Sequence, residues 1–477
     1  MANPAIQWFR SDLRLADNSA LMAALESGRP LIALYILDDT TPGDWSAGGA
    51  SRWWLHYSLT QLDAELRSRG GRLVLRRGDT LTELERLITA TGADELCFSR
   101  SYEPYAVELE RRVHDELADR AEVRRFGGSL LFEPERLRTK AGQPFRVFTP
   151  FWKTCLQEPD PPAPRAAPER IEFYRDAVDS DELSDWALLP TSPDWAGGLC
   201  AHWTPGEGGA DASMREFVDD AVGGYHEQRD RPDVRGTSRL SPHLHFGEIS
   251  PRQAWHAVKS ELHIDAQLSR GGGSFLRELG WRDFSYHLLS HWPHLPNEPF
   301  RQEFAAFPWR RNAKKLASWQ RGETGYPLVD AGMRELWETG WMHNRVRMVA
   351  ASFLIKHLLI PWQDGEAWFW DTLVDADLAN NSAGWQWVAG CGADAAPFFR
   401  IFNPIIQGKK FDPNGAYVRR WVPELARLPD KYLHEPWIAP AAALADAGVT
   451  LDKDYPQPIV EHDAARERAL QAFKSLR

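Results

Sequence analysis

The sequence is poor in the groups that most enzymes use to hold metals or form covalent intermediates. It has four cysteines, Cys97, Cys155, Cys200 and Cys391, far apart and with no CxxC pair. That spacing suits neither a zinc site nor a disulfide scaffold and leaves four thiols expected to be reduced. There is no nucleophile elbow, no P-loop and no GxGxxG after any strand candidate, so the fingerprint of dinucleotide binding is missing. Long apolar runs are also lacking. The longest candidate, MVAASFLIKHLLI from Met348, is interrupted by Lys356 and His357 and reads as a core helix. The opening residues MANPAIQWFRSDLRL lack the basic region and apolar run of a signal peptide, so a cytoplasmic location is expected. Positive charge is scarce in total: 56 Lys and Arg face 67 Asp and Glu, a net charge of −11. A protein that coats nucleic acid by bulk attraction is thereby excluded, but a local basic face is not.

The distribution of charge carries more than the sum. From Arg301 to Ala350 nine Lys or Arg stand against five acids, and from Pro397 to Trp421 five against one. Between Leu156 and Asp211 three stand against twelve, with eight prolines. A chain of 477 residues, 43% hydrophobic and 26% charged, is a globular protein of two or three domains. Its anomaly is 22 tryptophans, as many as its phenylalanines. Core filling seldom selects so many rings whose N–H needs a partner when buried.

Short strand candidates AIQWFR, LIALYIL, RLVLRR, ELCFSR and EVRRF alternate with helical patterns beginning near Asp17, Ser51, Thr80 and Pro104. The rhythm predicts a parallel sheet covered by helices on both faces over residues 1–131. Residues 132–211 read as a long interdomain linker, laid over the surface and partly ordered from Leu156 to about Asp211, where helical possibilities are short and lie around Arg170 to Trp186. From 212 to 477 the three-to-four spacing of segments such as GGSFLRELGWRDFSYHLLSHW and YPLVDAGMRELWETG predicts an all-helical domain. No internal repeat is apparent.

Four motifs offer chemistry. In GTSRLSPHLHFGEISP, Thr237, Ser238 and Ser241 surround Arg239, and Ser250 precedes Pro251 as at a helix start. The loop can hold phosphate through hydroxyls, N–H groups and one arginine; on local sequence a capped turn is the simpler reading. His243 and His245 have strand-like spacing and no third ligand nearby, so no metal is expected. In TGWMHNRVRM, helical spacing puts Trp341, Asn344, Arg345 and Met348 on one side and Arg347 elsewhere. The acids of DAD, Asp375 and Asp377, offer Arg347 a partner, either for orienting a polar ligand or as a surface ion pair. In RELGWRDF, Glu278 and Trp281 share a helix face, which suits a flipped base, one hydrogen bond and one stacking plane, or an ordinary amphipathic helix. Finally, ADLANNSAGWQWVAGCGADAAPFFRIFNP, from Ala376, crowds asparagines, tryptophans and small residues without any conventional catalytic group.

Taken together, WFRSDLRLADNSAL, YHEQRD, GTSRLSPHL, ELGWRDF, GYPLVDAGMREL, TGWMHNRVRM, NNSAGWQW, FFRIFNP and YPQPIVEH run the length of the chain in one order. They resemble the photolyase and cryptochrome flavoproteins, and among these the bacterial cyclobutane pyrimidine dimer photolyases. The resemblance implies an amino-terminal Rossmann-like α/β domain, joined by the long linker to an all-helical domain that holds FAD in a folded shape. By resemblance, Tyr225, Thr237, Ser238, Arg239, Leu240 and Ser241 hold the cofactor and its phosphates. Arg347 and Asp375 lie along the isoalloxazine, Asp377 serves the ribityl and adenine region, and Asn381 faces flavin N5, four residues before Trp385. Plant cryptochromes carry an aspartate at that asparagine. The substrate positions are Arg229, Glu278, Trp281, Asn344, Arg345, Met348 and Trp387. Trp385, Trp362 and Trp309 match the electron relay. The (6-4) photoproduct enzymes carry a histidine where Met348 stands, which favours a cyclobutane dimer as substrate.

The activity implied is light-driven repair of cyclobutane dimers in DNA by electron transfer from excited reduced FAD, in a monomer with no membrane partner. A second, antenna chromophore is implied, methenyltetrahydrofolate slightly ahead of 8-hydroxy-5-deazaflavin. The rivals are a non-repairing cryptochrome, against which Asn381, Glu278 and the lack of a long tail beyond Arg477 weigh, then a (6-4) photolyase, and more remotely a light-independent flavin oxidoreductase.

Overall fold

The computed structural model describes residues 3–395 and 399–476. Phe398, the first residue of FFRIFNP, therefore lies outside the described residues. The chain divides into two compact units. One comprises Met1–Gly223, Ser238–Pro293 and Val374–Ala379, the other Gly224–Thr237, His294–Leu373 and Asn380–Arg477.

All five expected strands form: β1 (Ala5–Phe9), β2 (Leu31–Leu37), β3 (Leu73–Arg77), β4 (Glu95–Ser99) and β5 (Glu122–Phe126). They make one parallel sheet in the order β3-β2-β1-β4-β5. Nearly unbroken apolar runs such as LIALYIL are what a strand buried on both faces requires. Helices α1 (Ser19–Glu26), α2 (Gly49–Ser68), α3 (Thr80–Thr91) and α4 (Pro104–Leu117) connect the strands. Asp79 caps α3 by accepting from Thr82 N, and Gly92 ends it at φ 64°.

The stretch after the sheet is partly ordered. It contains a helix that polarity and proline content hid, α5 (Phe148–Cys155), while the expected helical region near Arg170 shrinks to one turn at Leu183–Trp186. The chain is also tied to the sheet. Leu31 N donates to Glu172 O at 2.7 Å, Tyr174 N to Leu31 O at 3.0 Å and Asp181 N to Leu75 O at 2.8 Å. The same unit holds α6 (Pro251–Ile264) and α7 (Ser269–His291). Ser250 begins α6 with a complete capping box, its Oγ accepting from Gln253 N while its own N donates to Gln253 Oε1.

The second unit is helical. It includes α8 (Pro327–Thr339), α9 (Asn344–Ser352), α10 (Trp362–Thr372), most of α11 (Leu378–Ala389), α12 (Pro404–Phe411) and α13 (His462–Lys474). Two expectations need correction here. Trp341 does not share a helix with Asn344, because His343 is the cap of α9 and accepts from Arg345 N. The apolar run after Met348 is not one regular helix either, since a π-helical turn at Phe353–His357 follows α9. In the first unit His243 and His245 sit on a helical turn, Ser241–His245, not on a strand.

Candidate functional site

In the second unit α9 presents Arg345 and Met348 one turn apart. The Arg345 guanidinium donates to Asp230 Oδ1 at 2.7 Å, lies 4.4 Å from the Phe411 ring centroid, and reaches Met348 Sδ at 4.0 Å. Asp230 follows Arg229, whose guanidinium lies 5.7 Å from the Tyr225 ring centroid. Four expected residues, Tyr225, Arg229, Arg345 and Met348, thus belong to one neighbourhood organised by an aspartate that the sequence reading passed over. Arg347 points away from them, as its spacing predicts. Its Nε donates to Met342 O at 2.6 Å and its charge lies 5.8 Å from the Trp341 ring. Asn344 is exposed at the start of α9.

α11 carries Asn381, Trp385 and Trp387. The Asn381 Nδ2 donates to the main-chain oxygen of Glu366 at 3.1 Å, which assigns its Oδ1 the acceptor role. Next to it the Ser382 hydroxyl donates to Glu366 Oε1 at 2.6 Å. Burial holds the Glu366 carboxyl well above the usual range, against the pull of that hydroxyl. The Trp385 ring rests edge-on against Phe369, 4.9 Å between centroids, and approaches Gly365 so closely that a Cβ there would lie 2.1 Å from the ring. Its Nε1 is buried without a hydrogen-bond partner among the described residues. Trp385 and Trp362 are buried and Trp309 is half-buried. Trp387 is half-buried, with the Arg400 guanidinium 5.4 Å from its centroid.

In the first unit Thr237's successors form a strained loop. Arg239 has φ 52°, a conformation that costs a non-glycine residue and accompanies functional loops. Its guanidinium lies 5.8 Å from Trp203, and Leu240 N donates to Ser238 Oγ at 3.4 Å just before the turn that Ser241 starts. Behind this loop His243 Nδ1 meets Glu248 Oε2 at 2.5 Å, and Glu248 Oε1 accepts from Trp54 Nε1 and Gly206 N. Asp375 and Asp377 are both buried. Burial opposes the Asp377 charge, but His245, Arg282 and the Tyr286 hydroxyl outweigh it and hold the carboxyl down at about 2. The Tyr286 O–H donates to Asp377 Oδ2, and His245 Nδ1 lies 3.9 Å away. On α7, Glu278 is half-buried and Trp281 stacks face to face on Phe148, 3.6 Å between centroids and 9° between planes. Phe148 could not be read as the partner of Trp281 because the two lie more than a hundred positions apart.

A flavin suits these groups. In the second unit an oriented amide acceptor at Asn381 and an indole N–H with no hydrogen-bond partner among the described residues at Trp385 are groups that a ring with N–H donors and carbonyl acceptors can use. Known proteins agree. Residues 5–169 match the family model for DNA photolyase, and residues 275–475 match the FAD binding domain of DNA photolyase. The chain is 52% identical over 477 residues to the deoxyribodipyrimidine photo-lyase of Agrobacterium fabrum, covering 99% of this chain and 98% of that one. It is 40% identical to cryptochrome-1 of Arabidopsis thaliana, across 99% of this chain and 70% of that one. The crystal structure of a bacterial class III photolyase from Agrobacterium tumefaciens superposes with a TM-score of 0.96 at 52% identity, covering 100% of this chain and 98% of the other. The fold and site define a two-domain flavoprotein whose helical domain binds FAD. The chain belongs to the DNA photolyase family, with strong similarity to its bacterial class III members.

Proposed function

We propose that the protein repairs cyclobutane pyrimidine dimers in DNA, driven by light. The observation that carries this reading is the end-to-end likeness to a deoxyribodipyrimidine photo-lyase, with an asparagine at position 381 held in the acceptor orientation. Bound and fully reduced, FAD would supply light-driven one-electron chemistry toward the lesion. The chain's own residues bind and orient. Tyr225, Thr237, Ser238, Arg239, Leu240 and Ser241 would hold the cofactor's phosphates and chain, Asp377 its hydroxyls, and Arg347, Asp375 and Asn381 its ring. Glu278 would hydrogen bond a pyrimidine edge, Trp281 and Trp387 would wall the extruded dimer, and Met348 and Asn344 would fill and line the space beside them. Arg229 and Arg345 would neutralise phosphates. A dimer is already poorly stacked and paired, so its extrusion costs less than the few kcal/mol of flipping an intact base. Trp309, Trp362 and Trp385 would pass electrons inward to restore the reduced cofactor, not to perform repair.

The functional division we propose is residues 1–131 for the antenna, 132–211 as connector and 212–477 for the FAD domain. A folate antenna is favoured over a deazaflavin, and the working form is a cytoplasmic monomer. Likeness to cryptochrome-1 supports a second reading, a blue-light receptor, against which Asn381 stands. Oligonucleotides bearing a cyclobutane dimer or a (6-4) product, exposed to blue light with the reduced protein, discriminate among the three. Only the cyclobutane dimer should disappear. Loss of the (6-4) product alone assigns the other repair chemistry, and loss of neither assigns the receptor.

A further inference from the structure

Lys356 occupies the π-helical turn at Phe353–His357 and is fully buried. A buried ammonium is costly unless it is paired, yet no carboxylate pairs with it among the described residues. Its Nζ lies instead 3.3 Å from the Phe399 ring centroid and donates to Arg400 O at 3.4 Å. Burial pushes Lys356 down to about 7, with Cys391 acting in the opposite direction. The thiol of Cys391 is itself pushed up to about 12 by burial and stays neutral, with Lys356, Arg301 and Glu366 around it. His357, next in the turn, is pushed down to about 3 and is neutral as well.

What this cation grips is a short stretch of chain. Phe399 stacks on Phe473 at 4.4 Å and 5°, and Phe402 N donates to Ser352 Oγ at 3.2 Å. Between these fixed points the Arg400 carbonyl turns inward to Lys356 while its side chain is exposed. That side chain, with Trp387, Val388, Gly390, Ala395 and Phe402, lines a small surface cleft.

We propose that Lys356 is a positioning residue for lesion binding: by gripping the Phe399 ring and the Arg400 carbonyl it fixes the Arg400 guanidinium beside Trp387, where it takes a phosphate of the damaged strand. The proposal rests on the reading of Trp387 as a wall of the dimer site. It makes the buried lysine act through Arg400 alone, and that is testable by a double-mutant cycle.

Lys356→Met, Arg400→Ala and the double variant are compared with the wild type for affinity to a duplex bearing one cyclobutane dimer across a salt series. KM and kcat of the prereduced enzyme in light are measured alongside. Each single variant should weaken binding about tenfold, the loss of one charge-assisted contact. Each should lower the slope of log affinity against log salt by about 0.9, one phosphate contact. The double variant should bind no worse than Arg400→Ala, and kcat of Lys356→Met should change less than about twofold while KM rises about tenfold. Its thermal midpoint at neutral pH should not fall, because methionine fills the same space without a costly buried amine. Should Lys356→Met not fold, Phe399→Leu removes the grip from the other side and takes its place in the cycle. Additive losses, or an unchanged salt slope in Lys356→Met, would overturn the positioning role, and full affinity in Arg400→Ala would overturn the phosphate contact. A wild type that ignores the dimer overturns the proposed function instead, a result distinct from both.

Discussion

At the scale of the residue, the site depends on buried groups whose partners fix what they can do. Glu366 holds Asn381 through its main-chain oxygen and Ser382 through its carboxyl. Because burial raises the folded-state pKa above the ordinary 4.5, its contribution to stability is complete below that pH and declines as pH rises and the unfolded chain ionises first. Glu366→Gln mimics the neutral form. Its melting temperature relative to the wild type should therefore be least favourable at and below about pH 4.5 and climb as the pH rises above it; a difference that ignores pH contradicts the assignment. Glu278→Ala should cost about 1–3 kcal/mol of lesion binding, the penalty of a buried polar group left without a partner, measured as dimer affinity. Trp385→Phe should slow photoreduction of oxidised flavin at least about tenfold, while repair by chemically prereduced enzyme stays near the wild-type rate. Substantial loss in the prereduced assay would remove Trp385 from the relay.

Elements show why much of the fold was legible and where legibility ended. The five strands stand out because short apolar runs are separated by turn and cap residues, and Ser250 before Pro251 announces α6. Ser250→Ala removes a capping box and the bond from Ser250 Oγ to Asp17 Oδ2, 2.5 Å long. It should cost about 1–2 kcal/mol in denaturant unfolding, and a loss below about 0.5 would mean that the cap is dispensable. The π-helical turn around Lys356 was not legible, since one extra residue in a turn leaves the apolar periodicity nearly intact. The start of α9 was misplaced by less than a turn because His343 is an uncommon cap. Helix α5 hid between polar and proline-rich segments. Site motifs were readable as local strings, but the contacts of Asp230 with Arg345, Phe148 with Trp281 and Lys356 with Phe399 join partners remote in sequence that no local pattern reveals.

For the whole molecule, an acidic total with basic stretches at residues 301–350 and 397–421 predicts a protein that binds DNA through a limited set of phosphates. Affinity for dimer-bearing DNA should fall linearly with log salt, with a slope near −0.9 for each phosphate neutralised. Among the described residues no helix is long and apolar enough to cross a membrane. The most direct test takes the purified protein, reduced, with an oligonucleotide carrying one cyclobutane dimer, and follows dimer loss in blue light and in darkness. Loss in light alone is the predicted result; equal loss in both, or none in light, would contradict the account.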